Sequence, residues 1–314
     1  MKTLALFPGQ GSQKIGMGAE LLDNFPLAAH IFEEAEDAAR VPIRKLCLNG
    51  PAEDLQLTQN QQPCLLTVST ATWRVCQEEA GITADFFAGH SLGEFSALVA
   101  SERLPFAEAV SLVCARGQAM QAAVPTGVGA MAAIIGGTAD SILDVCESVR
   151  QHTGQVVELV NFNAPNQHIL SGHQQAVTRA GERLQQELRL RVTPLPVSAP
   201  FHSSLMVAAR EKMAPLIEKA SFHEGKGTMI ANLTGTLVDH YEPNHLIRQI
   251  DSAVLWSQSM SCAQQQGVEH YIEFGAGKVM SGLARKNLGK DIKVTHTDSI
   301  KSALESLANL HCPS

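Results

Sequence analysis

Short apolar runs alternating with stretches of helical periodicity predict an α/β fold built on a largely parallel sheet. Two further observations sharpen that prediction. Residues 126–197 read as β-α-β-β-α-β, the ferredoxin-like arrangement. Gly89-His90-Ser91-Leu92-Gly93 stands between an expected strand and an expected helix.

Taken in order, Thr3 to Phe7 reads as a short buried strand closed by Pro8-Gly9-Gln10-Gly11. Helical patterns follow over Leu27 to Arg40 and Cys64 to Gly81. Asp85 to Ala88 is a second apolar run, and Leu92 to Ala100 a helix. In the middle, Ala130 to Ile135, Val156 to Phe162, His168 to Ser171 and Arg191 to Val197 read as strands. Ala139 to His152 and Gln174 to Leu188 are the helices between them. Pro125-Thr126-Gly127 and Pro194-Leu195-Pro196 bracket this segment as hinges. The α/β pattern then resumes, with a helix over Leu205 to Ala220 and a hairpin over Met229 to Val238 turning at Gly235. A strand at Tyr271 to Phe274, another at Lys293 to Thr297 and a helix from Ile300 to Leu310 close the chain. The expected division is a core of residues 1–125 and 198–314 with a small subdomain, 126–197, inserted into it.

Composition excludes several classes. Hydrophobic residues make up 45% of the 314 and charged residues 18%, enough apolar material for a large core. Lys plus Arg number 24 against 31 Asp plus Glu, so the net charge is -7 and no nucleic-acid partner is expected. No apolar stretch is long enough to span a bilayer, and the start of the chain is too weakly apolar for a secretory leader. Seven cysteines with no C-x-x-C pair argue against a disulfide framework and a zinc knuckle. A cytoplasmic protein without a metal is therefore expected.

The strongest chemical signal is G-x-S-x-G at residues 89–93. A serine on a sharp turn needs small neighbours two residues away on each side, so that the backbone can fold tightly. The helix that follows aims N–H groups and its positive dipole end at the site, and the Leu92 N–H suits half of an oxyanion hole. A serine nucleophile needs a base, and 12 histidines compete for that role. His202, in a loop just before a helix, is favoured over each other histidine by a small margin. His90, beside Ser91, reads as a packing residue. His240 and His245 flank Glu242 without a third ligand at a zinc-like spacing, so a surface turn is expected there. Gly9-Gln10-Gly11 lacks the third glycine of a dinucleotide fingerprint, having Lys14 in that place. Gly275-Ala276-Gly277-Lys278 departs from a P-loop at Ile272 and Val279.

Nine motifs in order resemble the malonyl-CoA:acyl carrier protein transacylase family almost end to end. They are residues 7–13 (FPGQGSQ), Gln62-Pro63, residues 89–94 (GHSLGE), residues 114–117 (CARG), residues 129–133 (GAMAA), residues 161–165 (NFNAP), residues 200–203 (PFHS), Arg248-Gln249 and residues 273–279 (EFGAGKV). The resemblance implies an α/β-hydrolase-like core with a ferredoxin-like insertion. It implies Ser91 as nucleophile, His202 as base, and the N–H groups of Gln10 and Leu92 as the oxyanion hole. It further implies Arg116 as the clamp for a free malonyl carboxylate and the Gln249 backbone carbonyl as the group orienting the histidine. Gln62 and Asn161 match cleft positions. In related polyketide acyltransferases a bulky aromatic at the position of Phe201 accompanies malonyl selection. A ring in the space of an α-methyl is worth about 1–3 kcal/mol of discrimination.

The expected activity is malonyl transfer from malonyl-CoA to the phosphopantetheine thiol of acyl carrier protein by a ping-pong route, in fatty-acid synthesis. Service to the carrier domains of a polyketide synthase and, at greater distance, a serine esterase or thioesterase are the alternatives. A catalytically silent docking protein is disfavoured by the intact set of Ser91, His202, Gln10 and Arg116. No cofactor is expected beyond the CoA thioester and the partner's phosphopantetheine, and the expected state is a monomer. An acidic carrier would meet one of two basic clusters: Arg183, Arg189 and Arg191, or Arg285, Lys286 and Lys290.

Overall fold

The computed structural model describes residues 1–197 and 199–308. Among the described residues ten strands form two sheets: β1 (Thr3–Phe7), β2 (Phe86–Gly89), β3 (Gly129–Ile135), β4 (Val157–Ala164), β5 (Gln167–His173), β6 (Arg191–Pro194), β7 (Thr228–Ile230), β8 (Leu237–Val238), β9 (His270–Glu273) and β10 (Lys293–His296).

The larger sheet has the order β10-β9-β1-β2-β7-β8, and all its pairings are parallel except the β7–β8 hairpin at one edge. β1 lies between β9 and β2, and helices cover both faces. Its residues are therefore apolar on both sides, as a central parallel strand requires. Ala5 and Phe7 enter one core with Phe87 and Ile272, while Leu4 and Leu6 enter the other with Phe86, Ala88 and Tyr271. In the first core the rings of Phe7, Trp73 and Phe274 interlock. Phe7 stacks on Phe274 at 5.9 Å and Trp73 meets Phe274 edge-on at 4.9 Å.

The smaller sheet has the order β4-β5-β3-β6 and is antiparallel throughout. With helices Ala139–Thr153 and Gln174–Leu188 it is the ferredoxin-like arrangement expected from the sequence. Its two faces divide by strand alternation. Ala132, Ile134 and Leu170 pack on those two helices, whereas Met131, Val160 and Ile169 face the large core. The subdomain is also tied by backbone: Phe162 N–H donates to the Val254 carbonyl at 3.0 Å and Val254 N–H to that of Val160 at 2.8 Å.

Several helices escaped the sequence reading. Thr58–Ala80 begins six residues before the expected Cys64 and runs through Pro63. Pro63, the sixth residue, lacks the N–H that would bond the Gln59 carbonyl, which interrupts a helical reading, yet the helix continues through it. Phe106–Ala122 is buried around much of its circumference, which erases the polar stripe that marks an amphipathic helix. Pro243–Gln249 is only 7 residues long, and Trp256–Gln265 and Val279–Leu288 follow turn-like segments. The hairpin turns at Gly235 as expected. Asn309 and Leu310, which the sequence reading placed at the end of the closing helix, and Cys312 lie outside the described residues. Among the described cysteines, Cys47, Cys64, Cys76 and Cys146 are buried and Cys114 and Cys262 half-buried, all as free thiols. No described helix is long and apolar enough to cross a membrane.

Replacing Phe274 with alanine empties the centre of the three-ring cluster. We expect a loss of about 3–5 kcal/mol in unfolding free energy, read from chemical denaturation.

Candidate active site

The site begins at the sharp turn between β2 and helix Gly93–Ala100. Ser91 has φ 52°, in the left-handed region that side chains rarely adopt. The turn is tight enough that a Cβ on Gly89 would stand 1.9 Å from the Gly93 carbonyl carbon, and one on Gly93 would stand 2.1 Å from the Phe7 oxygen. Both glycines are thus required by close backbone approach. Asn232, just after β7, braces the turn: its Oδ1 accepts from Ser91 N–H at 2.7 Å and its Nδ2 donates to the Gly89 carbonyl at 2.6 Å.

His202 comes from the loop after the subdomain and also has positive φ, 63°. Its Nδ1 stands 2.9 Å from the Gln249 backbone carbonyl, and its Nε2 stands 2.7 Å from Ser91 Oγ. A carbonyl only accepts, so Nδ1 carries the proton and Nε2 offers its lone pair to the serine hydroxyl. Burial, reinforced by the Arg116 charge, pushes the imidazole pKa down to about 3 despite the opposing pull of the Gln249 carbonyl. The ring is therefore a neutral acceptor at physiological pH.

Arg116, on the buried helix Phe106–Ala122, has no exposed surface. One guanidinium nitrogen, Nη1, donates to Gln62 Oε1 at 3.0 Å. The other, Nη2, donates to Gln249 Oε1 at 3.0 Å and Ser91 Oγ at 3.2 Å. Phe95 lies under the cation, 5.7 Å from its central carbon. Desolvation lowers the pKa to about 10 while Glu94 supports the charged form, so the side chain remains a cation at neutral pH.

A cleft of about 640 Å³ opens between the core and the subdomain and reaches Ser91 and His202, with Arg116 buried behind them. Ser91, His202, Gln10, Asn161 and Phe201 line it. Phe201 both packs into the large core and presents to the cleft. Gln62 is fully buried beneath, bridging Arg116 to the loop of Gln10. The Gln10 loop is held close to the elbow because Gly9 leaves no room for a Cβ against the His90 carbonyl, 2.4 Å away. Among the described residues, the N–H groups of Gln10 and Leu92 meet no acceptor, leaving both as donors. The sequence assigned His90 to packing; its ring lies against Trp256 and bonds Asn163 Oδ1 at 2.8 Å, but it also lines the cleft. His240 is exposed and His245 caps helix Pro243–Gln249, away from the cleft.

Sequence reasoning missed Asn232 and the part played by the Gln249 side chain, whose Nε2 donates to the Ser91 carbonyl at 2.9 Å. Glu94 was noted only as the end of a motif. It is buried, accepts from Asn232 N–H at 2.9 Å and from Gln249 Nε2, and burial raises its pKa to about 7. An acidic residue two positions beyond an apolar turn, on a wholly buried helix, was the available signal.

Residues 5–275 match the model of the acyl transferase domain family. The malonyl CoA-acyl carrier protein transacylase of Salmonella typhimurium is 43% identical over 283 residues, covering 90% of this chain and 91% of that protein. That of Bacillus subtilis strain 168 is 41% identical over 310 residues, covering 98% and 97%. Among solved structures, the malonyl CoA-acyl carrier protein transacylase from Coxiella burnetii superposes with a TM-score of 0.94 at 36% identity, covering 99% of this chain and 98% of that one. A malonyl-transacylase solved in complex with a type II PKS acyl-carrier protein superposes with a TM-score of 0.91 at 37% identity, covering 98% and 100%.

Because protonation of His202 is opposed by burial, Ser91 should keep its reactivity well below the ordinary histidine range. We expect fluorophosphonate labelling of Ser91 to lose rate only below about pH 5. A midpoint near the usual histidine pKa would contradict this electrostatic picture.

Proposed function

The chain belongs to the acyl transferase domain family, among the malonyl CoA-acyl carrier protein transacylases, and from that premise we propose that it carries a malonyl group from malonyl-CoA to an acyl carrier protein. The observation that carries the substrate assignment is the Arg116 guanidinium, fully buried 3.2 Å from Ser91 Oγ. A cation desolvated beside a nucleophile has no use for a plain acyl chain, whereas malonyl brings a free carboxylate to that spot. Three of its five N–H donors are committed among the described residues, and acylation of Ser91 weakens one of those commitments. A planar guanidinium then meets the carboxylate in a charge-assisted pair.

In the first half-reaction His202 Nε2 takes the Ser91 proton as Oγ bonds to the thioester carbon. The Gln10 and Leu92 N–H groups hold the oxyanion. The carbon–sulfur bond breaks, and the CoA sulfur leaves with the proton from His202. In the second, the phosphopantetheine thiol gives its proton to His202 and its sulfur attacks the malonyl ester. The serine oxygen then leaves and recovers that proton. A thiolate is a good leaving group, so a histidine oriented by a neutral carbonyl suffices in place of one paired with a carboxylate. The cleft between core and subdomain limits water at the acyl-serine. Phe201 at the cleft wall supports a preference for malonyl over α-methylated donors.

We take fatty-acid synthesis as the setting, the relatives above being malonyl CoA-acyl carrier protein transacylases. The relative paired with a type II PKS carrier shows that the same fold also serves polyketide assembly. Every residue of the proposed mechanism comes from one chain, so the reading needs no second subunit and no bound cofactor. Of the two basic clusters, that of Arg285, Lys286 and Lys290 suits the acidic carrier better. Lys286 Nζ donates to Gln167 Oε1 at 2.6 Å, and Gln167 lines the cleft, as do Val279, Met280 and Leu283 of the same helix. Arg183 is instead paired with Glu187.

Intact-mass spectrometry tests the reading. Malonyl-CoA should leave a malonyl adduct that disappears in Ser91→Ala and passes to added holo acyl carrier protein. In Arg116→Ala the acylation rate should fall by about 2–5 kcal/mol, roughly 30- to several thousand-fold. Lys286→Glu should slow the transfer to the carrier while sparing the acylation. An adduct that decays in water without reaching a carrier would establish a hydrolase instead.

A further inference from the structure

A chain of three buried groups runs away from the nucleophile: the Arg116 guanidinium, the Gln249 side-chain amide and the Glu94 carboxylate. Arg116 Nη2 donates to Gln249 Oε1 at 3.0 Å, and Gln249 Nε2 donates to Glu94. All three residues are at most 1% exposed. Glu94 stands on the elbow helix Gly93–Ala100, Arg116 on Phe106–Ala122 and Gln249 at the end of Pro243–Gln249, so three separate elements converge on this one line. The amide dipole is aligned with it, its oxygen toward the cation and its N–H toward the anion. The proposed mechanism has so far used only the backbone carbonyl of Gln249, and it has given Glu94 no task.

An amide has two orientations that differ by exchange of oxygen and nitrogen. Here both ends are specified. Turned over, the Gln249 side chain would present N–H to the guanidinium and oxygen to both the Glu94 carboxylate and the Ser91 carbonyl, which Nε2 now serves at 2.9 Å. Glu94 is itself anchored at its other oxygen by Asn232 N–H at 2.9 Å, with Tyr241 buried close by. The arrangement also separates charge usefully. A carboxylate bonded directly to Arg116 would occupy the donors that an incoming carboxylate needs. Set one amide back, Glu94 supports the buried cation and leaves two of the five guanidinium N–H donors uncommitted among the described residues.

We propose that Glu94 is a positioning residue for carboxylate recognition, acting through the side-chain amide of Gln249 to aim Arg116 at the substrate while keeping its own charge out of the way. This rests on the malonyl-transfer reading above and deepens it: specificity for a carboxylated acyl group is a property of the three-residue line, with Arg116, 3.2 Å from Ser91 Oγ, as its end nearest the nucleophile. Glu94→Gln keeps the size but leaves one acceptor oxygen for the two donors, Gln249 Nε2 and Asn232 N–H, so the orientation of Gln249 is no longer imposed.

The test compares two reagents on the full chain: malonyl-CoA, and a fluorophosphonate that reacts with Ser91 but carries no carboxylate. For Glu94→Gln we expect malonylation to fall about tenfold or more beyond any fall in fluorophosphonate labelling, the loss of one charge-assisted hydrogen bond. In an Arg116→Ala background the same substitution should shift that ratio by less than about twofold, because its route to the substrate is gone. Gln249→Met preserves the backbone carbonyl that serves His202 and should shift the ratio in the same direction, so it carries the test if Glu94→Gln does not fold. Equal losses with both reagents mark a merely structural role and overturn the proposal, as does an unchanged ratio or a full effect without Arg116. A wild-type chain that prefers acetyl-CoA to malonyl-CoA would overturn the malonyl reading and this role with it. A malonyl-selective wild type whose ratio is insensitive to Glu94 would overturn the role alone.

Discussion

A complete positive charge held out of water beneath Ser91 is the constraint around which this molecule is organised. Arg116 has no solvent to stabilise it, so the protein must supply its partners. It does so with neutral oxygens, those of Gln62, Gln249 and Ser91, rather than with a carboxylate in direct contact. That choice leaves donors of the cation without a direct anionic partner, which the proposed malonyl carboxylate would supply. The same charge reaches the other catalytic groups. It favours negative charge developing on Ser91 Oγ, and it helps hold His202 in the neutral form that accepts a proton. Recognition and reactivity are thus two consequences of one buried ion.

The fold serves to bring that ion and its partners together. Parallel strands put β2 and the following helix side by side through a turn so tight that Gly89 and Gly93 have no room for side chains. Ser91 and His202 both take left-handed backbone conformations, each costing about 1–3 kcal/mol, and they meet at 2.7 Å. Such conformations persist only where the surroundings over-determine them. Asn232 does this for Ser91 through two hydrogen bonds, and the Gln249 carbonyl does it for the His202 ring. The subdomain contributes through its apolar second face and the backbone pairing at Val254, which set Asn161 along the cleft.

Much of this was legible in the sequence, for reasons that differ between elements. Strands such as Thr3–Phe7 stand out because burial on both faces makes every residue apolar, and the β-α-β-β-α-β order was readable from periodicity alone. The elbow was legible because its glycines answer to a steric demand at fixed spacing. The helix Phe106–Ala122 was not, since a helix buried on most sides shows no polar face, and yet it carries Arg116. Residue periodicity gave little ground for choosing His202 among twelve histidines; the family motifs made that choice, and the 2.7 Å contact agrees with it. Least legible were Asn232, Glu94 and the Gln249 side chain. Their significance lies in contacts across more than 130 residues, which no local pattern encodes.

The most direct test of the central claim is the crystal structure of the malonyl-Ser91 acyl-enzyme, trapped before transfer. The account predicts the malonyl carboxylate paired with the Arg116 guanidinium within about 3 Å, the ester carbonyl facing the Gln10 and Leu92 N–H groups, and the Gln249 amide oriented as in the free enzyme. A carboxylate turned outward into the cleft, with Arg116 still bonded only to Gln62 and Gln249, would contradict it.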